Sequence, residues 1–532
     1  MRTKFILLTF ILLVTTLNLF SQISEGGKPI SFQYNLKADF PIIEMPEFDV
    51  NELLKEDSIN PLPFRFAKTF SVNYDVKNSG KCETLPNGDK IWRIGFKSSG
   101  AYSLNIIFNE YLLPERAKLF LYNELKNDII GAFTYKNNKD TKILPTMLVK
   151  GDVIIIEYYE PFNVEFFGKL NIGQVAHDYK GTFGYQKDGS FGASGSCNID
   201  INCPEGDNWQ VEKRSVCRFL MGGAYLCSGA LINTTSPTAF STFLTANHCI
   251  PGGAYSTWVF YFNYESPTCN GVDGSTAQTI AGCSFLATHN NLDFCLVEMS
   301  SIPPASYHPY YAGWDRAYMP SWTAGIHHPS GDVKKISIDY DAPTIESHGS
   351  WLSDTHWEIG AWDVGTTEQG SSGSPLFNSY GEIVGDLTGG DASCGNPTGS
   401  DYYQMLFYSW DTYSNYDEQL KFWLDWDDTG AEYISGYDPY PVQIKSITKN
   451  SEDIFKIYPN PNNGNFTLEF DEIKQNVIIE ISDITGKLIY NKNVDFPFKR
   501  KELNISNLKN GVYLINIKTN EISFIKRLLI QK

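Results

Sequence analysis

The sequence predicts an all-β protein built from several domains, and three observations carry this prediction. The chain has 532 residues, which is too long for one hydrophobic core and indicates about two to four domains. Short runs that alternate apolar and polar residues, such as TFSVNYDV and DFCLVEM, recur along it. Gly, Pro and Asn turns separate these runs, as in β-barrels and sandwiches. We predict a helix at EQLKFWLDWDD, from the apolar residues Leu420, Phe422, Trp423, Leu424 and Trp426.

Residues 1–22 predict a secretory signal peptide. Arg2 and Lys4 precede an apolar run from residue 5 to about residue 20, and small polar residues follow. A membrane anchor is the alternative, but the run is near the minimum spanning length and no charge cluster follows it. We therefore expect an exported protein without stable insertion in a membrane.

Residues 23–191 predict a β-rich domain that carries no set of catalytic side chains. The stretch GTFGYQKDGSFGASGS over residues 181–196 is the kind of exposed Gly/Ser-rich backbone that proteases cut, so we expect a domain boundary there. A second β-rich domain follows over residues 192–438, then a polar linker over residues 439–453. Residues 454–532 predict one small β-sandwich with Pro-Asn-Pro, Asn-Gly and Thr-Gly turns.

The charge distribution excludes some partners. The formal net charge is −18, and residues 192–440 hold roughly thirty acidic side chains against about seven Lys and Arg. Such a surface repels nucleic acid and anionic membranes and favours cationic partners. A surface that serves only solubility is the alternative.

The cysteine pattern is typical of disulfides rather than of a metal site. Of 10 cysteines, Cys82 stands alone upstream and nine lie between Cys197 and Cys394. Outside the cytoplasm paired thiols oxidise and stay oxidised. The sequence has no CxxC pair and no HExxH motif, so we predict no metal and no cofactor in the chemistry, while the many acids leave calcium binding open.

Three segments of the middle domain supply the parts of a nucleophilic triad. A serine hydroxyl needs an imidazole to take its proton and a carboxylate to orient that imidazole. FLTANHC offers His248, NNLDFCLVEM offers Asp293 and GSSGSP offers Ser372. Each alone has an ordinary structural explanation: a structural His, a turn Asp, a flexible Gly/Ser loop. Their order is that of the triad in chymotrypsin-class enzymes, which makes the combination specific.

These segments, with CSGALIN, GIHHPSGDVKK, GGDASCG and GSDYY, make residues 192–438 resemble chymotrypsin-fold serine endopeptidases, and more narrowly the bacterial lysyl endopeptidases. The resemblance implies a double β-barrel in which Ser372 attacks the scissile carbonyl, His248 is the general base and Asp293 orients His248. It also implies that the backbone N–H groups of Gly370 and Ser372 form the oxyanion hole.

The resemblance implies a substrate with lysine at the cleavage site. Trypsin-like enzymes carry an acid six residues before the nucleophile, where this chain has Thr366. Lysyl endopeptidases place their acid later, in a Ser-Asp-aromatic segment that TGSDYY matches with Asp401. A surface turn acid is the alternative for Asp401, and cleavage after both Lys and Arg is the alternative specificity.

The chain departs from the family at two positions. In the family a histidine, placed where this chain has Thr388, stacks on a tryptophan for which Trp351 is the counterpart; we therefore assign both to the substrate-binding region. Asn247 replaces the usual Ala before His248. These departures favour the alternative interpretation that the protein is a surface binding protein that no longer cleaves substrates.

The resemblance also implies three disulfides, Cys197–Cys394, Cys203–Cys269 and Cys227–Cys249, and leaves open whether two of Cys217, Cys283 and Cys295 pair. It implies that residues 23–191 are a propeptide and that the mature enzyme begins near Gly192, after self-cleavage at Lys187 and trimming or after cleavage by another protease.

The C-terminal segments YPNPNNGNFTLEF, DITGKLIY and GVYLINIKT resemble the sorting domain of the type IX secretion system. That resemblance implies a partner in the secretion machinery and a secreted or cell-surface product, which we expect to be a monomer. A carbohydrate-binding or adhesion sandwich is the alternative for this domain.

Overall fold

The computed structural model of the chain describes residues 24–182, 193–236, 241–317, 319–440, 455–474, 477–483, 487–494, 498–518 and 523–532. The predicted signal peptide, Lys187, Gly192 and nearly all of the predicted linker lie outside the described residues. Contacts divide the chain into two units, Met1–Tyr440 and Pro441–Lys532. Among the described residues, no helix has both the length and the apolar character needed to cross a membrane.

Residues 24–182, here called the N-terminal region, contain three helices and twelve strands. They are α1 (Ile30–Gln33), β1 (Ile42–Glu44), α2 (Val50–Ile59), β2 (Phe64–Arg65), β3 (Ala67–Asp75), α3 (Val76–Ser79), β4 (Lys81–Thr84), β5 (Lys90–Lys97), β6 (Ser103–Leu112), β7 (Lys118–Asn123), β8 (Ile129–Phe133), β9 (Leu144–Pro145), β10 (Val149–Lys150), β11 (Val153–Glu160) and β12 (Lys169–Asp178).

Two β-sheets of this region share one hydrophobic core. The first has the order β1-β5-β11-β7-β8 and the second the order β10-β6-β12-β3. β5 and β11 read KIWRIGFK and VIIIEYYE, apolar enough to be buried on both faces. Ile94 and Ile156 of the first sheet belong to the same buried cluster as Leu104 and Ile172 of the second.

Residues 193–440, the middle region, are also mostly strand. The elements are β13 (Ile199–Asp200), β14 (Val216–Met221), β15 (Tyr225–Leu231), β16 (Thr242–Ala246), β17 (Val259–Tyr261), β18 (Thr279–Ala281), β19 (Cys283–His289), β20 (Phe294–Met299), β21 (Gly313–Asp315), β22 (Thr323–His327), β23 (Lys335–Asp339), β24 (Thr344–Glu346), β25 (His356–Ile359), β26 (Pro375–Asn378), β27 (Glu382–Gly390), β28 (Asp401–Met405), α4 (Leu406–Asp411), α5 (Lys421–Leu424) and β29 (Tyr433–Ile434).

The middle region has the double β-barrel architecture expected from the sequence. The first barrel has the strand order β18-β17-β14-β15-β16-β20-β19, and the second contains β13-β23-β22-β26-β27-β28-β25-β24 with β21 and β29 at its side. Leu244 and Leu296 of the first barrel share a buried cluster with Ile326 and Phe377 of the second. The all-β fold class is confirmed.

The helix predicted at EQLKFWLDWDD is much shorter than expected. α5 covers four residues and ends at Asp425, whose backbone is not helical, and the Asp425 carboxylate then accepts hydrogen bonds from the N–H groups of Thr429 and Gly430. Leu420 and Leu424 are buried, but Trp426 is 63% exposed, so the apolar residues do not share one face. The helix α4, at Leu406–Asp411, was not predicted.

Three disulfides hold the middle region, at the pairs that the resemblance implied. They are Cys197–Cys394, Cys203–Cys269 and Cys227–Cys249. The three cysteines whose pairing the sequence left open are buried thiols, and Cys82 is an exposed thiol: Cys217, Cys283 and Cys295 form no disulfide here.

The C-terminal unit is an all-β domain with its own core. Its strands are β30 (Phe455–Tyr458), β31 (Asn465–Lys474), β32 (Val477–Asp483), β33 (Leu488–Val494), β34 (Phe498–Asn504), β35 (Gly511–Lys518) and β36 (Ser523–Ile530). They form sheets of order β30-β31-β34 and β33-β32-β35-β36. Phe455, Leu468, Ile479 and Ile515 share one buried cluster, as in a small β-sandwich.

Candidate active site

Strand pairing brings His248 and Asp293 together. β16 pairs antiparallel with β20, with Ala246 opposite Phe294. His248 follows the end of β16 in a short 3-10 turn, and Asp293 immediately precedes β20, so both lie at the same edge of the first barrel. The Cys227–Cys249 disulfide fixes the residue after His248 to the neighbouring strand β15.

The side chains of His248 and Asp293 are in direct hydrogen-bond contact. Nδ1 of His248 lies 2.9 Å from Oδ2 and 3.2 Å from Oδ1 of Asp293. The backbone N–H of His248 donates to Oδ1 at 2.9 Å, and that of Asn247 donates to the Asp293 carbonyl at 2.9 Å. Asp293 is fully buried and adopts a left-handed φ of 46°, which Asp tolerates better than most residues. The carboxylate is therefore held by both the ring and the backbone N–H of His248.

Ser372 lies in the loop between β25 and β26 and is nearly buried. Nε2 of His248 is also buried and has no hydrogen-bond partner among the described residues. The link between this nitrogen and the Ser372 hydroxyl is thus not made in this structure. Catalytic hydrogen bonds are often long before substrate binds, so the arrangement is compatible with a triad.

The loop before Ser372 presents two backbone donors. Gly370 has φ of +93°, and a Cβ there would lie 3.2 Å from the Gly331 nitrogen and the His328 oxygen. The carbonyl of Gln369 accepts a hydrogen bond from the N–H of Ser330 at 2.6 Å. Because the C=O and N–H of a trans peptide point in opposite directions, the Gly370 N–H points away from Ser330. In the described part of the chain, neither this N–H nor that of Ser372 has an acceptor.

A buried histidine, which sequence reasoning missed, supports the loop. Nδ1 of His327 lies 2.8 Å from the Ser371 hydroxyl, and its Nε2 lies 3.0 Å from the Ser337 hydroxyl. Burial, together with the charge of Lys335, lowers the pKa of His327 to about 3, so the ring is neutral. The motif GIHH gave no signal of this role, since its partner Ser371 is 44 residues away.

A cleft of about 520 Å³ opens beside Ser372 and ends near Asp401. Its lining includes Thr367, Leu387, Gly389, Gly390 and Ala392. Asp401 lies behind this lining and is 1% exposed. A Cβ on Gly390 would lie 2.2 Å from the Ser400 carbonyl oxygen and 2.4 Å from Oδ1 of Asp401, so a larger residue would clash with both.

The two oxygens of Asp401 differ. Oδ2 accepts hydrogen bonds from the indole N–H of Trp362 and the hydroxyl of Thr367, both at 2.7 Å. Oδ1 is buried and has no hydrogen-bond partner among the described residues. Burial, only partly offset by these donors and the nearby Ala392 N–H, raises the pKa of Asp401 to about 6. Trp362 and Thr367 carried no recognisable signal in the sequence.

Trp351 and Thr388 are placed differently from each other. Trp351 stacks on His348 with ring centroids 5.4 Å apart, and His348 stacks on Tyr402 at 4.2 Å. Thr388 is fully buried on β27, and its hydroxyl has no partner in the described part of the chain. His348 is therefore the aromatic partner of Trp351, and the sequence reasoning did not identify it.

Cys227, His248 and Cys249 place ligand atoms within 4.8 Å of one another. The two sulfurs form a disulfide with each other, and metal binding requires thiolates. This group therefore does not fit a metal ion.

A segment of the N-terminal region lies over the cleft. β2 pairs antiparallel with β15 of the first barrel, with Phe64 opposite Leu226. Pro61 and Leu62, just before β2, line the same cleft as Ser372. A Cβ on Gly389 would lie 3.8 Å from Cδ1 of Leu62, so the leucine is in contact distance of the rim strand β27.

The two packed sheets and the contact between His248 and Asp293 resemble those expected of serine endopeptidases. Residues 191–404 match the family model described as lysyl endopeptidase, C-terminal domain, and residues 456–531 match the secretion system C-terminal sorting domain. Each match covers its own segment of the chain, and the C-terminal match indicates export.

The lysyl endopeptidase of Pseudomonas aeruginosa is 30% identical over 288 residues, which is 48% of this chain and 59% of that protein. The chain therefore spans less than two thirds of this relative. Among solved structures, a Glu endopeptidase in complex with MPD is 15% identical over 40% of this chain and 94% of that one, with a TM-score of 0.27. Mouse neuropsin, a serine protease, is 15% identical over 37% and 92%, with a TM-score of 0.28.

Proposed function

We propose that the chain is the precursor of a secreted serine endopeptidase that cuts peptide bonds on the carboxyl side of lysine through an acyl-enzyme. The observation that carries the substrate class is the buried carboxyl of Asp401, which has one oxygen without a partner among the described residues. An ionised carboxylate buried without a counter-charge is unfavourable. The ammonium of a substrate lysine in the cleft supplies that charge.

The hydrogen bonds of Asp401 favour lysine over arginine. A guanidinium binds a carboxylate best through two parallel hydrogen bonds, one to each oxygen. Here Oδ2 is already occupied by Trp362 and Thr367. Oδ1 alone suits an ammonium, which acts as a point charge. Cleavage after both lysine and arginine is the second candidate, because a water molecule between Oδ1 and a guanidinium satisfies part of the hydrogen-bonding capacity of the guanidinium.

In the proposed reaction His248 takes the proton of the Ser372 hydroxyl, and Asp293 orients the imidazole and stabilises its positive charge. The Ser372 oxygen then attacks the scissile carbonyl. The N–H groups of Gly370 and Ser372 donate to the oxyanion, a type of contact worth about 10²- to 10³-fold in rate. His248 returns the proton to the leaving amine, and water repeats the sequence on the acyl-enzyme.

We propose that residues 23–191 are a pro region that keeps the enzyme latent, and that the catalytic domain spans residues 192–438. Leu62 supports this, since it lies at the cleft and offers Asp401 no cation. Asp57 on α2 secures the segment: its carboxylate accepts from Arg65 at 2.7 Å and from Tyr179 at 2.7 Å, and pairs with Lys180 at 2.8 Å. Cleavage near Gly192, by self-cleavage at Lys187 or by another protease, would allow residues 23–191, here called the cover, to leave the cleft.

The ends of the chain direct export in this proposal. Residues 1–22 carry the chain across the inner membrane as a signal peptide. Residues 454–532, joined by the linker 439–453, are recognised by the secretion machinery, and the product acts as a monomer outside the cell.

The test uses the full chain, activated by limited proteolysis, beside its Ser372→Ala variant. Both are incubated with an unfolded protein mixture, and mass spectrometry identifies the new carboxyl termini. Cuts after lysine that vanish in S372A support the proposal. Equal cutting after arginine selects the second candidate, and no cutting by a folded, activated sample leaves a surface binding protein as the better description.

A further inference from the structure

A row of buried polar side chains crosses three neighbouring strands of the second barrel. Asp386 on β27 is in register with Gln404 on β28, and Gln404 is in register with His356 on β25. Residues in register on adjacent strands point to the same face of a sheet. The exposed fractions of the three residues are 1%, 0% and 0%.

The strand β27, which carries Asp386, packs against β16 of the first barrel, the strand that leads to His248. Burial, reinforced by the charge of Asp293, raises the pKa of Asp386 well above its usual range. Burial and His348 lower the pKa of His356 to about 4, against an opposing effect of Asp293. The titratable groups around the row are Asp293 and Cys295 from the first barrel and His356 and His348 from the second. Burial therefore favours the protonated form of Asp386, and His356 is a neutral imidazole at neutral pH.

Each member of the row has a polar atom without a partner. Within the described residues, Oδ2 of Asp386, Oε1 of Gln404 and Nε2 of His356 are buried and form no hydrogen bond, and the same holds for the hydroxyl of Thr388 on β27. Orphaned buried polar atoms are rare in proteins, and each costs about 1–3 kcal/mol when it stays unpaired. Several of them on one face indicate a shared network, with buried water as the bridging group.

The row contains both hydrogen-bond donors and hydrogen-bond acceptors. A protonated carboxyl and a hydroxyl each donate one hydrogen bond, the Gln404 oxygen only accepts, and a neutral imidazole donates through one nitrogen and accepts through the other. An apolar core would fill this space at lower cost. The row is thus suited to bind the nearby charge of the Asp293 carboxylate.

We propose that Asp386 is a positioning residue for the catalytic carboxylate. As a member of the row of Asp386, Gln404 and His356, it donates a hydrogen bond to the Asp293 carboxylate, either directly or through a buried water. Asp293 then has His248 on one side and a neutral donor on the other. The donor fixes the Asp293 carboxylate and stabilises its negative charge. An ionised Asp386 would instead add a second negative charge near His248. This inference rests on the proposed function, because it concerns the same site.

The test compares Asp386→Asn, Asp386→Leu and the matched control Glu382→Gln. Asparagine keeps a neutral side chain that donates, whereas leucine has similar bulk and donates nothing. Glu382 is a buried acid on the same strand β27, but its carboxylate accepts from Asn378 and does not belong to the row. Each variant is made in the full chain, both active and with Ser372→Ala to prevent self-cleavage.

Two readouts separate positioning from folding. The first is kcat and KM for a lysine peptide after activation, measured across pH. The second is NMR titration of histidine-labelled protein in the S372A background, which does not need activity and contains only eight histidines to assign. Thermal unfolding monitors the fold, and Asp386→Ala replaces D386L if leucine is not accommodated.

We expect D386N and E382Q to keep kcat within about threefold of the parent and to leave the His248 titration midpoint within about 0.3 pH units. D386L should lower kcat by about 10- to 100-fold with KM changed less than about twofold, and should move the His248 signal. If D386N lowers the midpoint by about one unit, Asp386 was a carboxylate and the proposal is wrong. If D386L leaves kcat and the His248 signal unchanged, the row only fills space. An inactive parent would refute the proposed function, and the NMR comparison would still decide this one.

Discussion

Replacing Asp401 with asparagine would remove the charge beneath the cleft while keeping its shape. The amide can still accept from Trp362 and Thr367 through its oxygen, so the floor of the cleft should stay in place. A substrate lysine would then be buried beside the amide without a counter-charge. Removing one member of a buried ion pair costs about 3–5 kcal/mol, which corresponds to a loss of roughly 150- to 5,000-fold in kcat/KM.

The assay compares peptide substrates with lysine or norleucine at the cleaved position. Norleucine has the same stem as lysine and no charge, so its kcat/KM should change by less than about threefold in D401N, since hydrophobic contacts with Leu387 and the rest of the lining remain. If D401N keeps the lysine preference of the parent to within about fivefold, Asp401 is not the recognising group and the argument from its free oxygen fails.

The pH dependence of the same ratio gives an independent check. Because burial raises the pKa of Asp401 to about 6, the carboxyl is charged above that pH and neutral below it. Preference for lysine over norleucine should therefore be complete at pH 8 and fall through about pH 6, by up to about tenfold per pH unit. An effect of pH on the chemical step is common to both substrates and cancels in the ratio. The D401N variant should show a flat ratio.

Three further predictions concern the supporting structure. Replacing Cys227 and Cys249 with serine opens a loop of sequence separation 22 and should destabilise the domain by about 3 kcal/mol in thermal unfolding; an unchanged transition would contradict this. Gly390→Ala should reduce kcat/KM for lysine substrates by at least about tenfold, because its Cβ would meet Oδ1 of Asp401. Gly360→Ala, where a Cβ meets nothing within 4 Å, is its control and should be silent. Asp57→Asn weakens the contacts that hold the cover, so purified precursor should activate faster than the parent in a time course of lysine-ester hydrolysis; an equal or slower rate would argue against the cover.

Sequence reasoning reached the residues whose position follows from strand order. His248 follows one strand and Asp293 precedes the neighbouring strand of the barrel, so a motif at one end of each strand was enough to bring them together. Asp401 needed the resemblance, because a Ser-Asp-aromatic segment alone does not reveal burial. Its donors Trp362 and Thr367 lie 39 and 34 residues away, and no local pattern connects such distant partners.

The resemblance implied that the N-terminal region covers the active site, but which segment of it lies at the cleft was beyond sequence reasoning for a similar reason. β2 has two residues, Phe64 and Arg65, too few for any periodicity, and it joins a sheet of the middle region rather than one of its own. The helix expected at EQLKFWLDWDD ends early because the backbone of Asp425 leaves the helical conformation, and the Asp425 carboxylate then binds the N–H groups of Thr429 and Gly430. Pairing across regions is a tertiary effect and binding of backbone N–H groups by a nearby side chain is a local one, and both override the apolar pattern.

The way in which the nucleophile loop is held bears on how the precursor is kept latent. Ser371, next to the nucleophile, is held by neutral His327, and the Gln369 carbonyl is held by Ser330. None of these contacts comes from the N-terminal region, so removing that region would break none of them. These contacts of the loop therefore do not depend on the N-terminal region, which favours control by access to the cleft. Leu62 at the cleft is placed for that control, which is why the rate of losing the cover, rather than a change in the loop, should set the rate of activation.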